Sequence, residues 1–185
     1  MSDEPVRAPR DEILLHIPSL RAFAVSLSGQ IDRADDLVQE TLVKAWRNLG
    51  SFTEGTNMRA WLFTILRNVY ISEIRRRRRE VQDSEGVFSE AVAVAPQQNG
   101  HMDLADFRKV LADLPEEQRE ALILIGAAEF SYEEAAEISG CAVGTVKSRV
   151  NRARTALANK LNIDAGEIGV DPALRAALGT QGRTG

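Results

Sequence analysis

Between residues 131 and 161 the apolar positions recur with helical spacing, in two runs separated by a glycine. In the first run Ala135, Ala136 and Ile138 form one side, and Ser131 and Glu134 stand three apart, the spacing of a capping box that starts a helix. Gly140 then falls at the C′ position, where a left-handed backbone costs glycine little. In the second run Val146, Val150, Ala153, Leu157 and Leu161 gather on one side at about 100° per residue. Lys147, Ser148, Asn151, Arg152 and Thr155 point the other way, with Arg149 and Arg154 on the flanks, and no Asp or Glu occurs between Glu137 and Asp164. Helix, tight turn and helix with a basic outer face is how a protein sets a helix in a DNA major groove. Arg, Lys, Ser and Asn together offer donors to phosphates and base edges alike. A helix face that is merely solvated ordinarily mixes charge signs, and this one does not.

The same periodicity elsewhere predicts an all-α chain: two small helical domains, at residues 10–80 and 102–163, joined by a flexible linker at 81–101 and followed by a tail at 164–185. In the first block Pro18 opens a helix and Gly29 closes it, with Leu20, Phe23, Ala24 and Leu27 as its stripe. Asp32 caps a second helix carrying Leu37, Val38, Thr41, Leu42, Ala45 and Leu49 on one side. A loop around Gly55 leads to a long helix from Met58 towards Arg79, with Trp61, Leu62, Ile65, Leu66 and Val69 placed for packing. Residues 81–101 mix Gly, Pro, Gln and Ser without a basic residue and read as acidic and extended, although Val92 and Val94 leave a short strand open. In the second block Phe107, Val110, Leu111 and Leu114 mark a helix, and Pro115 starts another whose Leu122, Ile123 and Ile125 form core. The tail holds one helix-like fragment, Pro172 to Leu178.

Charge changes this picture only when it is resolved along the chain. The net charge of −4 argues against a nucleic-acid partner, yet residues 1–80 carry thirteen Lys/Arg against eleven Asp/Glu, while residues 81–100 carry none against three. Phosphate responds to the local field, because charges beyond about 10 Å are screened at moderate salt. Two basic clusters, Arg75 to Arg79 and Lys147 to Arg154, therefore outweigh the total. The first follows a helix bearing Trp61, Phe63, Asn68 and Tyr70, so a backbone clamp beside an unstacked base is conceivable there. Trp61 and Phe63 read as core, whereas Asn68 and Tyr70 are the better base-contacting candidates. Asp35, Asp36, Gln39 and Glu40 crowd the early turns of the second helix, and Trp46 lies further along. That face reads equally as a solvated helix start favoured by the dipole or as a docking face for a basic helical partner.

Several classes are unfavoured. Cys141 is the only cysteine, which excludes an intrachain disulfide and suits a reducing, cytoplasmic setting. The N-terminus lacks the apolar core of a signal peptide, and the longest apolar run, Ala121 to Ala128, is too short to cross a bilayer. There is no P-loop, GxGxxG or GxSxG, and His16, His101 and Cys141 have no metal-ligand spacing. No enzymatic activity, cofactor, metal, small-molecule substrate or membrane partner is expected.

Taken together, DRADDLVQETLVKAWRNL, NMRAWLFTILRNVYISEIRRRRRE and LPEEQREALILIGAAEFSYEEAAEISGCAVGTVKSRVNRAR resemble the bacterial extracytoplasmic-function (ECF) sigma factors. The wording is most similar to the EcfG-like type that directs the general stress response of alphaproteobacteria. The resemblance implies an alternative sigma factor that binds core RNA polymerase through its β′ clamp and β flap and starts transcription at chosen promoters. The first block would be sigma region two, with Asp35, Asp36, Gln39, Glu40 and Trp46 docking on polymerase. Arg67, Asn68, Tyr70, Ser72, Arg75, Arg76, Arg77, Arg78 and Arg79 would contact the −10 element and capture a flipped base. The second block would be region four, with Thr145, Lys147, Ser148, Arg149, Asn151, Arg152 and Arg154 reading a GGAAC-like −35 element. It also implies a small anti-sigma partner of the NepR type and association with the nucleoid when polymerase-bound. A stand-alone helix-turn-helix regulator and a sigma mimic that sequesters an anti-sigma factor remain as alternatives.

Overall fold

A computed structural model describes residues 9–83 and 109–161. Among these residues all regular structure is helical. Helix α1 spans Pro9–Leu15, α2 Ile17–Ser28, α3 Ile31–Arg47 and α4 Met58–Asp83, with a single 3₁₀ turn at Leu49–Ser51 after α3. After a helical turn at 109–112 come α5 (Glu116–Gly126), α6 (Tyr132–Ser139) and α7 (Val143–Leu161).

Local chemistry explains most boundaries. α2 carries Pro18 in its first turn and ends on Gly29, whose φ of 72° lets its N–H reach the Val25 carbonyl at 2.8 Å. α3 departs from expectation at its start: Gln30, not Asp32, occupies the N-cap, without a side-chain cap bond. Asp32 lies inside the first turn, where its charge still favours the dipole. Ala34, Leu37, Val38, Thr41 and Ala45 are buried along one stripe of α3, and the Thr41 hydroxyl is satisfied by the Leu37 carbonyl at 2.7 Å. At α6 the capping box is present in both directions, and Gly140 closes the helix at φ 62°. On α7 Val146, Val150, Ala153 and Leu157 are buried as expected, and Leu161 is half-buried.

α4 runs on through residue 83, so the first residues assigned to the linker continue this helix. The rest of the linker, Phe107 and the tail lie outside the described residues.

α2, α3 and α4 pack on one another, and α5, α6 and α7 form a second group. The groups are not separate. α4 packs along α6, α2 meets α5, and one apolar cluster runs through both blocks. Phe63 of α4 is at the junction: its ring stacks on Phe23 at 4.8 Å and meets the edge of Phe130 at 4.9 Å. Phe130 reaches that position from the turn between α5 and α6. Its neighbour Glu129 holds a left-handed φ of 55° there, uncommon for a residue with a Cβ.

Candidate nucleic-acid interface

The outward face of α7 begins with Thr145, whose carbonyl accepts the Ser148 hydroxyl at 3.0 Å. Lys147, Asn151 and Arg152 are exposed side by side, because the buried positions 146, 150, 153 and 157 turn the intervening residues outward. The Lys147 ammonium lies 5.6 Å above the Tyr132 ring, which steadies it beside the helix start. The two flanking arginines behave differently. Arg149 is 17% exposed and donates to Glu117 of α5 at 2.6 Å and to the Cys141 sulfur at 3.6 Å. Arg154 is half-buried, and its Nε has no hydrogen-bond partner among the described residues.

The C-terminal half of α4 carries the second set. Asn68, Ser72 and Arg75, Arg76, Arg77, Arg78 and Arg79 are exposed. Glu73 sits among them with little exposure, held by Arg33 at 3.2 Å through both oxygens and by Arg77 at 2.7 Å. Arg33 also lies over the Tyr70 ring at 5.4 Å. Two residues expected to face DNA turn inward instead. Tyr70 is 5% exposed and its hydroxyl donates to the Leu27 carbonyl at 2.9 Å, so its ring is packing, not a free stacking surface. Burial pushes its phenol pKa up. Arg67 is 17% exposed and bonded to Glu120 of α5. Sequence periodicity missed both, because the groups that take them up, the Leu27 carbonyl at the end of α2 and Glu120 of α5, lie on helices distant in sequence.

α3 presents the third set. Asp36, Gln39, Glu40 and Trp46 are exposed, and Val43 joins them on the same stripe, leaving apolar surface with acid towards the helix start and Lys44 and Arg47 towards its end, Lys44 pairing with Glu40 at 2.9 Å. Trp46 keeps 43% of its surface exposed, an unusual state for so large an apolar ring in a small helical body. Asp35 stands apart: its two oxygens accept from Nε and Nη2 of Arg21, at 2.6 and 3.1 Å, and that guanidinium lowers its carboxyl pKa.

The junction between the blocks is polar at both ends. At one end Asn57 Oδ1 caps α4 by accepting from Ala60 N–H, while its Nδ2 donates at 2.6 Å to Glu134 Oε1. The other oxygen of Glu134 accepts the Ser131 N–H, which with Asn57 holds this carboxyl below its usual range. One bridge thus joins the caps of two helices from different blocks. Next to it Arg59 lies 4.7 Å over Phe130 and 5.3 Å over Phe63. At the far end Glu120, 5% exposed, meets Arg67, and burial pushes its carboxyl pKa up against the opposing pull of that guanidinium. Arg119 donates to the same Leu27 carbonyl that takes the Tyr70 hydroxyl. Between α4 and α5 a groove of about 210 Å³ has Leu27, Tyr70, Ile71 and Ile74 as its floor. Arg67, Arg75 and Arg78 face Glu116, Glu117 and Glu120 across it. Asn57, Arg59, Arg119 and Glu120 were not among the residues singled out from sequence. The available signal was a charge set into an apolar run, as Glu120 is in EQREALILI and Arg67 in TILRNVY.

Among the described residues no helix is long and apolar enough to cross a membrane, and no cluster of His, Cys, Asp and Glu could hold a metal ion.

Comparison with known proteins adds a second line of observation. Residues 13–80 match the Sigma-70 region 2 family and residues 104–157 the Sigma-70 region 4 family. The ECF RNA polymerase sigma factor EcfG of Rhodopseudomonas palustris is 56% identical over 174 residues, covering 94% of this chain and 96% of its own. The ECF sigma factor SigC of Mycobacterium tuberculosis is 37% identical over 134 residues, covering 72% of each. Among solved structures, the sigma factor RpoE of Bartonella quintana, crystallised with the anti-sigma factor NepR, superposes with a TM-score of 0.74 at 60% identity. That match covers 83% of this chain and 96% of RpoE.

Proposed function

Because the chain belongs to the ECF group of the sigma-70 family of RNA polymerase sigma factors, we propose that its three exposed residue sets divide promoter recognition among them. The α3 stripe of Asp36, Gln39, Glu40, Val43 and Trp46 docks on the polymerase clamp, an apolar centre with acid on the side of the helix start. α4, with Asn68, Ser72 and Arg75 to Arg79, grips the −10 element and traps a flipped base. α7, with Lys147, Asn151 and Arg152 leading, reads the −35 element in the major groove. Residues 10–80 and 102–163 are the two working modules.

The energetics suit this division. Unstacking a base costs a few kcal/mol, which a shaped, hydrogen-bonding trap offsets. Phosphate contacts anchor the flanking duplex without reading it, and base-edge donors on α7 set the register. Polymerase holds both modules at once, so two weak contacts act at high effective concentration. The observation that carries the reading is that one chain holds both region matches in order, the second ending in an exposed, acid-free basic helix face. A sigma mimic has no use for that face, and a stand-alone regulator has none for the α3 stripe.

The relatives extend the reading to the general stress response, to a NepR-type anti-sigma partner and to a cytoplasmic protein that joins the nucleoid with polymerase. The test is run-off transcription with purified core polymerase on a template carrying a GGAAC-type −35 element. A defined transcript that a NepR-type protein suppresses is expected. The absence of any promoter-specific transcript refutes the reading.

A further inference from the structure

A helix reads base edges only if its roll about its own axis is fixed. With side chains it has a radius of about 5–6 Å, so a roll of ~20° carries a side-chain tip about 2 Å sideways. A hydrogen bond tolerates about half an ångström, so Lys147, Asn151 and Arg152 of α7 would lose their base edges together. Apolar burial at Val146, Val150, Ala153 and Leu157 chooses the inward side of α7 but has no direction of its own. A directional contact at the edge of that stripe narrows the roll further.

Arg149 makes such a contact. At 100° per residue it stands about 70° from the centre of the buried stripe, and Arg152 about 130° away on the same side. Arg149 Nη2 donates to Glu117 Oε2 at 2.6 Å, and its Nη1 to Cys141 Sγ at 3.6 Å. Cys141 is itself fixed, because its N–H donates to the Ala136 carbonyl of α6 at 3.0 Å. One guanidinium on α7 is thus tied to the first turn of α5 and to the turn that leads out of α6, all inside one block. Glu117 is the outer partner, 69% exposed, and Arg149 the inner one, 17% exposed. A phosphate oxygen could take Arg149 only by displacing Glu117, whose carboxylate would then face the DNA as a like charge. Paired in this way, Arg149 meets DNA already neutralised and releases no counterion there.

We propose that Glu117 is a positioning residue for promoter recognition: acting through Arg149, it fixes the roll of α7 so that Lys147, Asn151 and Arg152 meet the −35 base edges. Arg149 is then a brace of the helix-turn-helix and not a reader of DNA, unlike the role the family resemblance implies for it. This rests on the promoter-binding reading above. An ion pair with one partner in solvent adds little to the stability of the fold. Its removal therefore acts on sequence discrimination, through geometry, while leaving the block folded and its non-specific grip on phosphates in place.

The experiment joins the full chain to core RNA polymerase and follows binding to two labelled duplexes, one with a GGAAC-type −35 element and one with that element scrambled. Glu117→Gln should lower the preference for the first duplex by about fivefold to tenfold, roughly the worth of one weak base contact. Affinity for the scrambled duplex should stay within about twofold, and the melting temperature of the chain within a degree or two. Arg149→Glu alone should abolish the preference. Adding Glu117→Arg to it rebuilds the pair with its charges exchanged, and should return the preference to within about threefold of wild type with an unchanged slope of log K against log salt. A phosphate-binding Arg149 gives the opposite result: the exchanged pair recovers nothing and the salt slope falls by about 1. That outcome overturns the proposal, as does an unchanged preference in Glu117→Gln. If the exchanged pair does not fold by circular dichroism, Glu117→Gln decides alone, since that side chain is 69% exposed. A wild-type complex that shows no preference between the duplexes strikes the promoter reading instead.

Discussion

The contact between Phe63 and Phe130 gives the closed arrangement a measurable energy. Phe63 is 1% exposed and belongs to α4, and Phe130 is 5% exposed and belongs to the turn before α6. Their rings meet edge to face, with centroids 4.9 Å apart and planes at 73°, the geometry in which the positive rim of one ring meets the negative face of the other. Such a pair contributes about 0.5–1.5 kcal/mol beyond the area it buries. Replacing either ring by Leu keeps most of the apolar volume and so isolates that pair energy better than truncation to Ala, which adds a cavity cost. The double-mutant cycle of Phe63→Leu and Phe130→Leu should therefore return a coupling of about 0.5–1.5 kcal/mol. Urea denaturation of the full chain, followed by tryptophan fluorescence and by circular dichroism, supplies the four stabilities. Coincidence of the two probes checks that unfolding is two-state. Phe23→Leu provides the control: its ring stacks on Phe63 at 4.8 Å within the first block and must couple whether the blocks are open or closed. If Phe23 couples to Phe63 while Phe130 and Phe63 are additive within about 0.3–0.5 kcal/mol, the two blocks do not meet in solution and the closed arrangement fails.

Other predictions concern single surfaces. Asn68→Ala should slow open-complex formation while leaving initial promoter binding within about twofold, because a trap for an unstacked base acts only after melting; permanganate reactivity of the −10 thymines reads this directly. Arg152→Ala should weaken −35 binding by about 1–3 kcal/mol if it makes a bidentate base contact, with the loss largest on the cognate sequence. Paired reversal of Asp36→Lys and Glu40→Lys should abolish capture of core polymerase in a pull-down at an ionic strength where wild type is retained, without changing the melting temperature of these exposed positions by more than a degree or so. The Glu134 carboxyl, held below its usual range by Ser131 N–H and Asn57, contributes stability that is present above its unfolded-state value and is lost as pH falls through its folded-state value. The difference in stability between wild type and Glu134→Gln should accordingly shrink on acidification below pH about 4, and a constant difference would show that the cap bridge is not charged.

Much of the molecule was legible along the chain. Helix type, the capping box at Ser131 and Glu134, the glycine stops at Gly29 and Gly140, and the buried stripe of α7 all follow from local chemistry and a 3.6-residue period, which a linear reading contains in full. The basic, acid-free face of α7 and the exposed acid beside Trp46 on α3 are likewise properties of single helices. The start of α3 was misplaced, because Asp32 and Gln30 compete for one cap, and so were its end, where Leu49 falls in the 3₁₀ turn, and the end of α4, which runs past Glu80 to residue 83.

Tertiary structure decided what lies between the blocks. Arg67 and Tyr70 read as surface residues beside a basic run, yet α5 and the end of α2 cover them, through Glu120 and the Leu27 carbonyl, 53 and 43 positions away in sequence. Asn57 and Glu134 cap helices locally, and only packing reveals that the two side chains also bond each other across 77 positions. Periodicity reports which side of a helix avoids water, because that is a property of the helix alone. It carries no information on which other surface removes the water, and that pairing determines which arginines of the basic clusters stay exposed.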